Sequence, residues 1–242
     1  MLSNQGMRRW SCPPLAQNKH KDLTGFWNSN IVTASCRHYS LKDKTIIMSI
    51  FILLLALAIW GVVHSFLASH LAKDLFRLRA GSSDFYRLAY NIFAGISFLP
   101  ILYLMATLQD QPLYQVSAPW SYLMYGGQAL AVLLLFVAFM QTDGLSFMGI
   151  RQLFEKETAG ALVTRGLYRV VRHPLYTFSL MYIWLSPSVS QNSLVFYIGV
   201  TLYVLIGAYF EERKLLRDFG DSYAEYKRKT PMLIPGLVFG KK

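Results

Sequence analysis

The sequence predicts an all-α, polytopic integral membrane protein with about five transmembrane helices, the last two paired as a hairpin, and a short cytoplasmic C-terminal helix. Three observations predict it. Of the 242 residues 54% are hydrophobic and only 15% charged, whereas a soluble domain carries about a quarter charged residues. The apolar residues come in runs free of Asp, Glu, Lys and Arg, at 45–72, 88–109, 111–142 and 175–210. Each run reaches the roughly 20 residues that a helix needs to cross about 30 Å of hydrocarbon. Intrinsic disorder, a disulfide scaffold and an ordinary soluble enzyme are excluded.

The chain opens with a basic extension, residues 1–47, ahead of a membrane domain over 48–242. Arg8, Arg9, Lys19, Lys21, Arg37, Lys42 and Lys44 face only Asp22 and Asp43. Three origins fit this segment: a translated leader upstream of a start at Met48, an organellar transit sequence, or a disordered extension. Met48-Ser49-Ile50-Phe51 leads straight into the first apolar run, which supports the leader. These residues contribute +5 of the formal charge of +11. The basic balance is therefore no argument for nucleic acid; the remainder sits in loops that suit anionic lipid. Both cysteines, Cys12 and Cys36, also lie here, so neither disulfides nor a thiolate-bound metal can be the chemistry of the membrane body.

The crossings follow at about 46–69, 88–108, 120–141, 174–189 and 192–212. The last two divide one 36-residue run at Ser186-Pro187-Ser188-Val189-Ser190-Gln191-Asn192-Ser193, a cluster of turn formers. All five should be helical, because lipid offers no partner to a bare backbone amide. Trp60, Tyr114, Trp120, Tyr122 and Trp184 suit either an interfacial belt or helix contacts. Basic residues gather in 70–87, 141–173 and after 211, while 109–119 and 186–193 have none. The positive-inside rule then puts the C-terminus in the cytoplasm. Ionisable residues are scarce inside the crossings and no half mirrors the other, which disfavours a transporter.

Polar residues concentrate in two places on that cytoplasmic side. One is Thr164 to Tyr176, where Arg172-His173 precede Pro174, a residue suited to a first helical turn. A helix start beside arginines favours an anionic group. The other runs from Glu211-Glu212 to Phe219-Gly220-Asp221-Ser222-Tyr223-Ala224-Glu225-Tyr226. Gly220 can end a helix in the left-handed conformation. Ser222-x-x-Glu225 reads as a capping box opening a short new helix, with Tyr223 and Tyr226 on one face. Pro231-Met232-Leu233-Ile234-Pro235 stops it and can lie against the bilayer. His64 and His70 are six apart, about 240° around a helix, so they do not share a face. A hydrogen bond within the bundle is the expected role of His64.

Together, Arg172-His173-Pro174-Leu175-Tyr176, Glu211-Glu212-Arg213-Lys214-Leu215 and Phe219 to Tyr226 resemble the isoprenylcysteine carboxyl methyltransferase and phospholipid methyltransferase superfamily. A narrower likeness over most of 60–236 rests on Val63-His64-Ser65-Phe66-Leu67-Ala68-Ser69, Met148-Gly149-Ile150-Arg151-Gln152 and Pro231–Pro235. It is similar to the methanethiol S-methyltransferase and NnrU-like branch. Two departures bear on the acceptor. That branch carries further apolar sequence before this first helix, and a polar Asn-His-x-Asp-like stretch where this chain has Thr142-Asp143-Gly144-Leu145-Ser146.

The resemblance implies an integral-membrane methyltransferase that uses S-adenosylmethionine. It implies Arg172 and Glu212 as catalytic residues, and His173, Pro174, Tyr176, Glu211, Glu212, Tyr223 and Tyr226 as donor-binding ones. Arg169 and Arg172 are further candidates for the donor carboxylate or an anionic acceptor. On this reading Glu212→Ala and His173→Ala each abolish donor binding with the bundle intact. The implied acceptor is a small thiol such as methanethiol, or a lipidic one such as an isoprenylcysteine carboxylate, entering from the bilayer. No metal is implied. The alternatives are a haem-binding NnrU-like protein and a non-enzymatic membrane scaffold.

Overall fold

The computed structural model describes residues 29–80, 85–142, 144, 148, 150 and 162–236, with side chains from residue 43 onward except at 70 and 80. Expectations for Cys12, His20, Arg151 and Gln152, and for the side chains of Cys36, His38 and His70, lie outside the described residues. The chain divides into two compact units, Met1–Ser49 and Ile50–Lys242. In the first, helix starts at Ser29, well before the expected 46.

Six helices are described: α1 (Ser29–Ala68), α2 (His70–Ala80), α3 (Tyr86–Thr107), α4 (Trp120–Gln141), α5 (Pro174–Trp184) and α6 (Gln191–Lys229). Two short strands, β1 (Pro112–Gln115) and β2 (Ser188–Ser190), join them. Among the described residues four helical stretches are long and apolar enough to cross a membrane: Asp43–Ala68, Tyr86–Thr107, Trp120–Gln141 and Gln191–Lys229. Most of their large apolar side chains point outward, as hydrocarbon-facing residues do. The second unit is centred on Leu53, Ile101 and Phe196, with Trp60 and Phe98 packed against them.

The expected helix over 174–189 is corrected. It stops at Trp184 after 11 residues, about 16 Å at 1.5 Å per residue. The stretch after it is extended and pairs as β2 with β1, Pro112 opposite Ser190 and Gln115 opposite Ser188. The amide of Val116 adds a bond to the Pro187 carbonyl at 2.8 Å, and that of Gln191 one to the Gln111 carbonyl at 2.9 Å. These bonds satisfy backbone that no longer has helical partners. The turn-former cluster is thus a strand and a cap. Ser190 and Ser193 exchange side-chain-to-backbone bonds in a capping box that starts α6.

The segment nevertheless runs antiparallel along α6. Trp184 donates its indole N–H to Thr201 at 3.0 Å, while Tyr176 reaches Glu211. α4 packs closely on α5: a Cβ on Gly127 would stand 2.7 Å from Leu185 Cδ1, the small-residue contact that membrane helices favour. Gln128 also donates to the Tyr182 carbonyl at 2.9 Å. The aromatic residues divide. Trp60 and Trp184 are engaged with other helices, whereas Trp120 and Tyr122 are exposed.

Candidate active site

The ends of α4, α5 and α6 converge where both polar stretches lie. At the end of α4, Gln141 Oε1 accepts the Leu167 amide at 2.8 Å. This fixes a 3-10 turn over Gly166–Arg169. Gly166 has φ +62, and a Cβ there would stand 2.4 Å from the Gln141 amide group, so the tie needs glycine. Val171 and Pro174 are fully buried and Pro174 stands in the first turn of α5. The expected helix start at Arg172-His173-Pro174 is therefore observed, with His173 as N-cap.

Arg172 and Glu212 form a buried ion pair, with side chains 7% and 6% exposed. Arg172 Nε donates to Glu212 Oε1 at 2.7 Å, and Nη2 lies 2.5 Å from the same oxygen. Nη1 donates to the carbonyls of Lys227, at 3.1 Å, and Thr230. The other carboxylate oxygen, Oε2, takes Lys227 Nζ at 2.8 Å. One carboxylate thus joins the mouth of α5 to the end of α6. Buried charges are tolerated when paired in this way.

A second group shares this framework and opens outward. Tyr176 donates to Glu211 Oε2 at 2.8 Å, and the His173 and Tyr176 rings stack with centroids 5.3 Å apart and planes 14° apart. His173 Nδ1 lies 3.7 Å from Glu211 Oε2, and Nε2 3.4 Å from Glu212 Oε1. Glu211 is 43% exposed, while His173 is 5% exposed. Among the described residues, His173 Nε2 and the buried Tyr223 hydroxyl lack a hydrogen-bond partner. Burial pushes the nearby Tyr168 phenol up to about 12, with the charge of Glu211 adding to the rise and a bond with Thr142 opposing it.

Gly220 interrupts α6 with φ 54 and ψ −129, a region essentially closed to other residues. The sequence reading of a break there holds, but the cap differs. Glu225 pairs forward with Lys229 at 2.6 Å instead of reaching back to Ser222. The break turns Tyr223 inward, 1% exposed, and lets the Tyr226 hydroxyl donate to the Tyr168 carbonyl. Replacing Gly220 by alanine is expected to cost about 1–3 kcal/mol of stability, with a matching drop in the thermal unfolding midpoint and weaker ligand binding at the cluster.

The Pro231–Pro235 segment is tied to protein. The amides of Arg172 and His173 donate to the carbonyls of Pro231 and Met232 at 2.9 and 3.2 Å. Thr177 donates its hydroxyl to Leu233 O at 2.8 Å. The segment forms a strap across the start of α5. The structure brings Arg172, His173, Pro174, Tyr176, Glu211, Glu212, Tyr223 and Tyr226 into one cluster. Sequence reading missed Lys227, the Thr230 carbonyl and the strap. Lys227 stood in a Lys-Arg-Lys run that looked like any basic tail, and backbone carbonyls carry no sequence signal. Arg169 is exposed at the end of the 3-10 turn. His64 is hydrogen-bonded within the bundle as expected, with Tyr203 and Tyr90. Among the described residues no group of three or more His, Cys, Asp or Glu side chains could hold a metal ion.

Residues 122–222, which contain most of this cluster, match the phospholipid methyltransferase family model. The chain is 35% identical over 131 residues to methanethiol S-methyltransferase 2 of Bradyrhizobium diazoefficiens, covering 52% of this chain and 51% of that protein. It is 29% identical over 199 residues to methanethiol S-methyltransferase 1 of the same organism, covering 80% and 69%. The identity is 44% over 69 residues to the methanethiol S-methyltransferase of Mycobacterium tuberculosis, 28% of each chain. The matched stretches span about half or less of the length of several of these relatives. No solved structure matches the chain. Over residues 122–222 the chain is thus similar to the phospholipid methyltransferase family, and over comparable or longer stretches it is similar to methanethiol S-methyltransferases.

Proposed function

We propose that the protein is an S-adenosylmethionine-dependent membrane methyltransferase that acts on a small thiol such as methanethiol. The observation that carries the reading is the half-exposed Glu211 carboxylate, oriented by Tyr176 beside the stacked His173 ring. S-adenosylmethionine carries an ammonium group, ribose hydroxyls, a flat base and a sulfonium. Glu211 suits the ammonium or a hydroxyl, and the aromatic pair suits the base or the sulfonium. The exposed Arg169 suits the donor carboxylate. When bound, the donor supplies an electrophilic methyl group on sulfur. The residues then have to align the reactants, a task that positioning can largely accomplish.

In this scheme Arg172, Glu212 and Lys227 are positioning residues. The Glu212 carboxylate is shared between two cations, and the network holds Glu211, His173 and Tyr176 in register. This departs from the sequence-level expectation that Glu212 or Arg172 meets the donor directly. By the positive-inside rule the basic residues of 70–87, 141–173 and the tail after 211 would put cluster and C-terminus in the cytosol, where the donor is made. α5 with β2 would form the fifth traverse, part helix and part strand.

The test is methyl transfer from labelled S-adenosylmethionine by the purified, lipid-reconstituted protein. Products are separated into volatile, lipid-extractable and protein-bound fractions. Volatile label on addition of methanethiol is the expected result. Lipid-extractable label instead would assign a lipidic acceptor, and no label in any fraction from protein that binds no donor would overturn the reading.

A further inference from the structure

Three polar side chains from three helices meet inside the bundle and take no part in the donor cluster. His64 of α1 has Nδ1 at 2.5 Å from the Tyr203 hydroxyl of α6 and Nε2 at 2.7 Å from the Tyr90 hydroxyl of α3. Trp60, one turn earlier, stacks its ring on the imidazole at 4.6 Å with planes 23° apart. An ionisable side chain on an apolar membrane helix is costly, and such residues are retained chiefly for function.

Hydrogen bonding gives the cluster a direction. A neutral imidazole has one N–H and one bare nitrogen. In either tautomer, one tyrosine donates to the ring and the other accepts from it. The accepting phenol keeps its own O–H for a group outside the pair. Among the described residues, the titratable groups facing His64 are Tyr90 and Tyr203.

The cluster also lies beside the proposed donor face. Tyr203 precedes Glu211 by eight residues on α6, which places it about 12 Å deeper and about 80° around the helix. Tyr90 and Tyr203 are within electrostatic range of Tyr176, the residue that orients Glu211. An acceptor arriving from the bilayer would therefore meet His64 and its tyrosines on the interior side of the donor.

We infer that Tyr90, His64 and Tyr203 form a proton-accepting relay for the methyl acceptor, and that this acceptor is a thiol. The inference rests on the methyl-transfer reading and supplies its acceptor side. A carboxylate acceptor is ionised at neutral pH and needs no base. An alkanethiol is mostly protonated, and only its thiolate is a good nucleophile. The thiol S–H bond breaks and its proton goes to the phenol oxygen it faces, while that phenol passes its own proton to the imidazole. The thiolate electron pair then forms the S–CH3 bond as the methyl–sulfonium bond breaks, its pair returning to the donor sulfur. The imidazolium, stacked on the electron-rich face of Trp60, finally gives its proton to water.

The experiment compares the full-length protein in lipid with His64→Gln and with Tyr90→Phe, which removes a single hydroxyl. Two acceptors are used: methanethiol, and thiophenol, which is largely ionised near neutral pH. In both variants kcat/KM for methanethiol is expected to fall by about 100-fold or more, and for thiophenol by less than about tenfold, with donor affinity unchanged. The methanethiol deficit should shrink as pH rises, because the solution then supplies thiolate. In protein with 15N-labelled histidine, methanethiol added without donor should perturb the His64 ring signals, assigned by their loss in His64→Gln. Equal losses with both thiols, or lost donor binding, would make the cluster a structural tie and overturn the relay. Wild-type protein that methylates neither thiol but labels lipid would overturn the thiol and the relay with it. Wild-type protein that labels no fraction and binds no donor would overturn the methyl-transfer reading itself, and wild-type transfer with unaffected variants overturns the relay alone.

Discussion

Glu212→Ala is expected to destabilise the protein by about 3–5 kcal/mol and to abolish donor binding. The carboxylate is 6% exposed and holds Arg172, itself 7% exposed, on one oxygen and Lys227 on the other. Without it Lys227, 48% exposed, can turn to solvent, but Arg172 stays buried against two carbonyls. The cost is that of an uncompensated buried charge. Thermal or denaturant unfolding in a fixed detergent measures it, with equilibrium binding of S-adenosylhomocysteine as the second readout. The double variant Arg172→Met/Glu212→Leu removes both charges and is expected to recover most of the stability while binding stays lost. A loss under about 1 kcal/mol for Glu212→Ala would mean that the pair is not the tie described here. The expectation from sequence, that this substitution leaves the bundle intact, is revised on these contacts.

Glu211→Gln should separate binding from folding. Its carboxylate is 43% exposed and accepts from Tyr176, so the change leaves packing nearly untouched. A charge-assisted hydrogen bond contributes about 1.5–3 kcal/mol, which corresponds to a loss of roughly 10- to 150-fold in donor affinity. The unfolding midpoint should barely move. Tyr176→Phe should lose less, about tenfold, because it removes one neutral donor that orients the carboxylate. Unchanged donor affinity in Glu211→Gln would place the donor elsewhere.

The two neighbouring glutamates show how far sequence could reach. Glu211-Glu212 read as one charged motif at a helix end, and both entered the candidate site. Which faces a ligand and which holds the framework depends on about 100° of helical rotation and on what packs opposite. Arg172 and Lys227 supply that answer, 40 residues before and 15 after Glu212 in sequence. Similarly, Gly220 was legible as a break because a positive φ is a local property of glycine. The role of the break, turning Tyr223 inward and bringing Tyr226 to Tyr168, was not.

Membrane character, the helical class, the start of α5 at Pro174 and the crowding of polar residues at one end were determined by the sequence alone. Each follows from local composition: charge-free runs, a proline without an amide hydrogen, a glycine free of a Cβ. The tertiary structure decided that the 174–189 run would be helix only to Trp184 and then lead into a short strand, because its extended part can share hydrogen bonds with β1. It also decided that the Pro231–Pro235 segment straps the mouth of α5, and that His64 lies between two tyrosines. Those outcomes depend on partners 26 to 139 residues away, and pairings at that separation leave no local pattern in a single sequence.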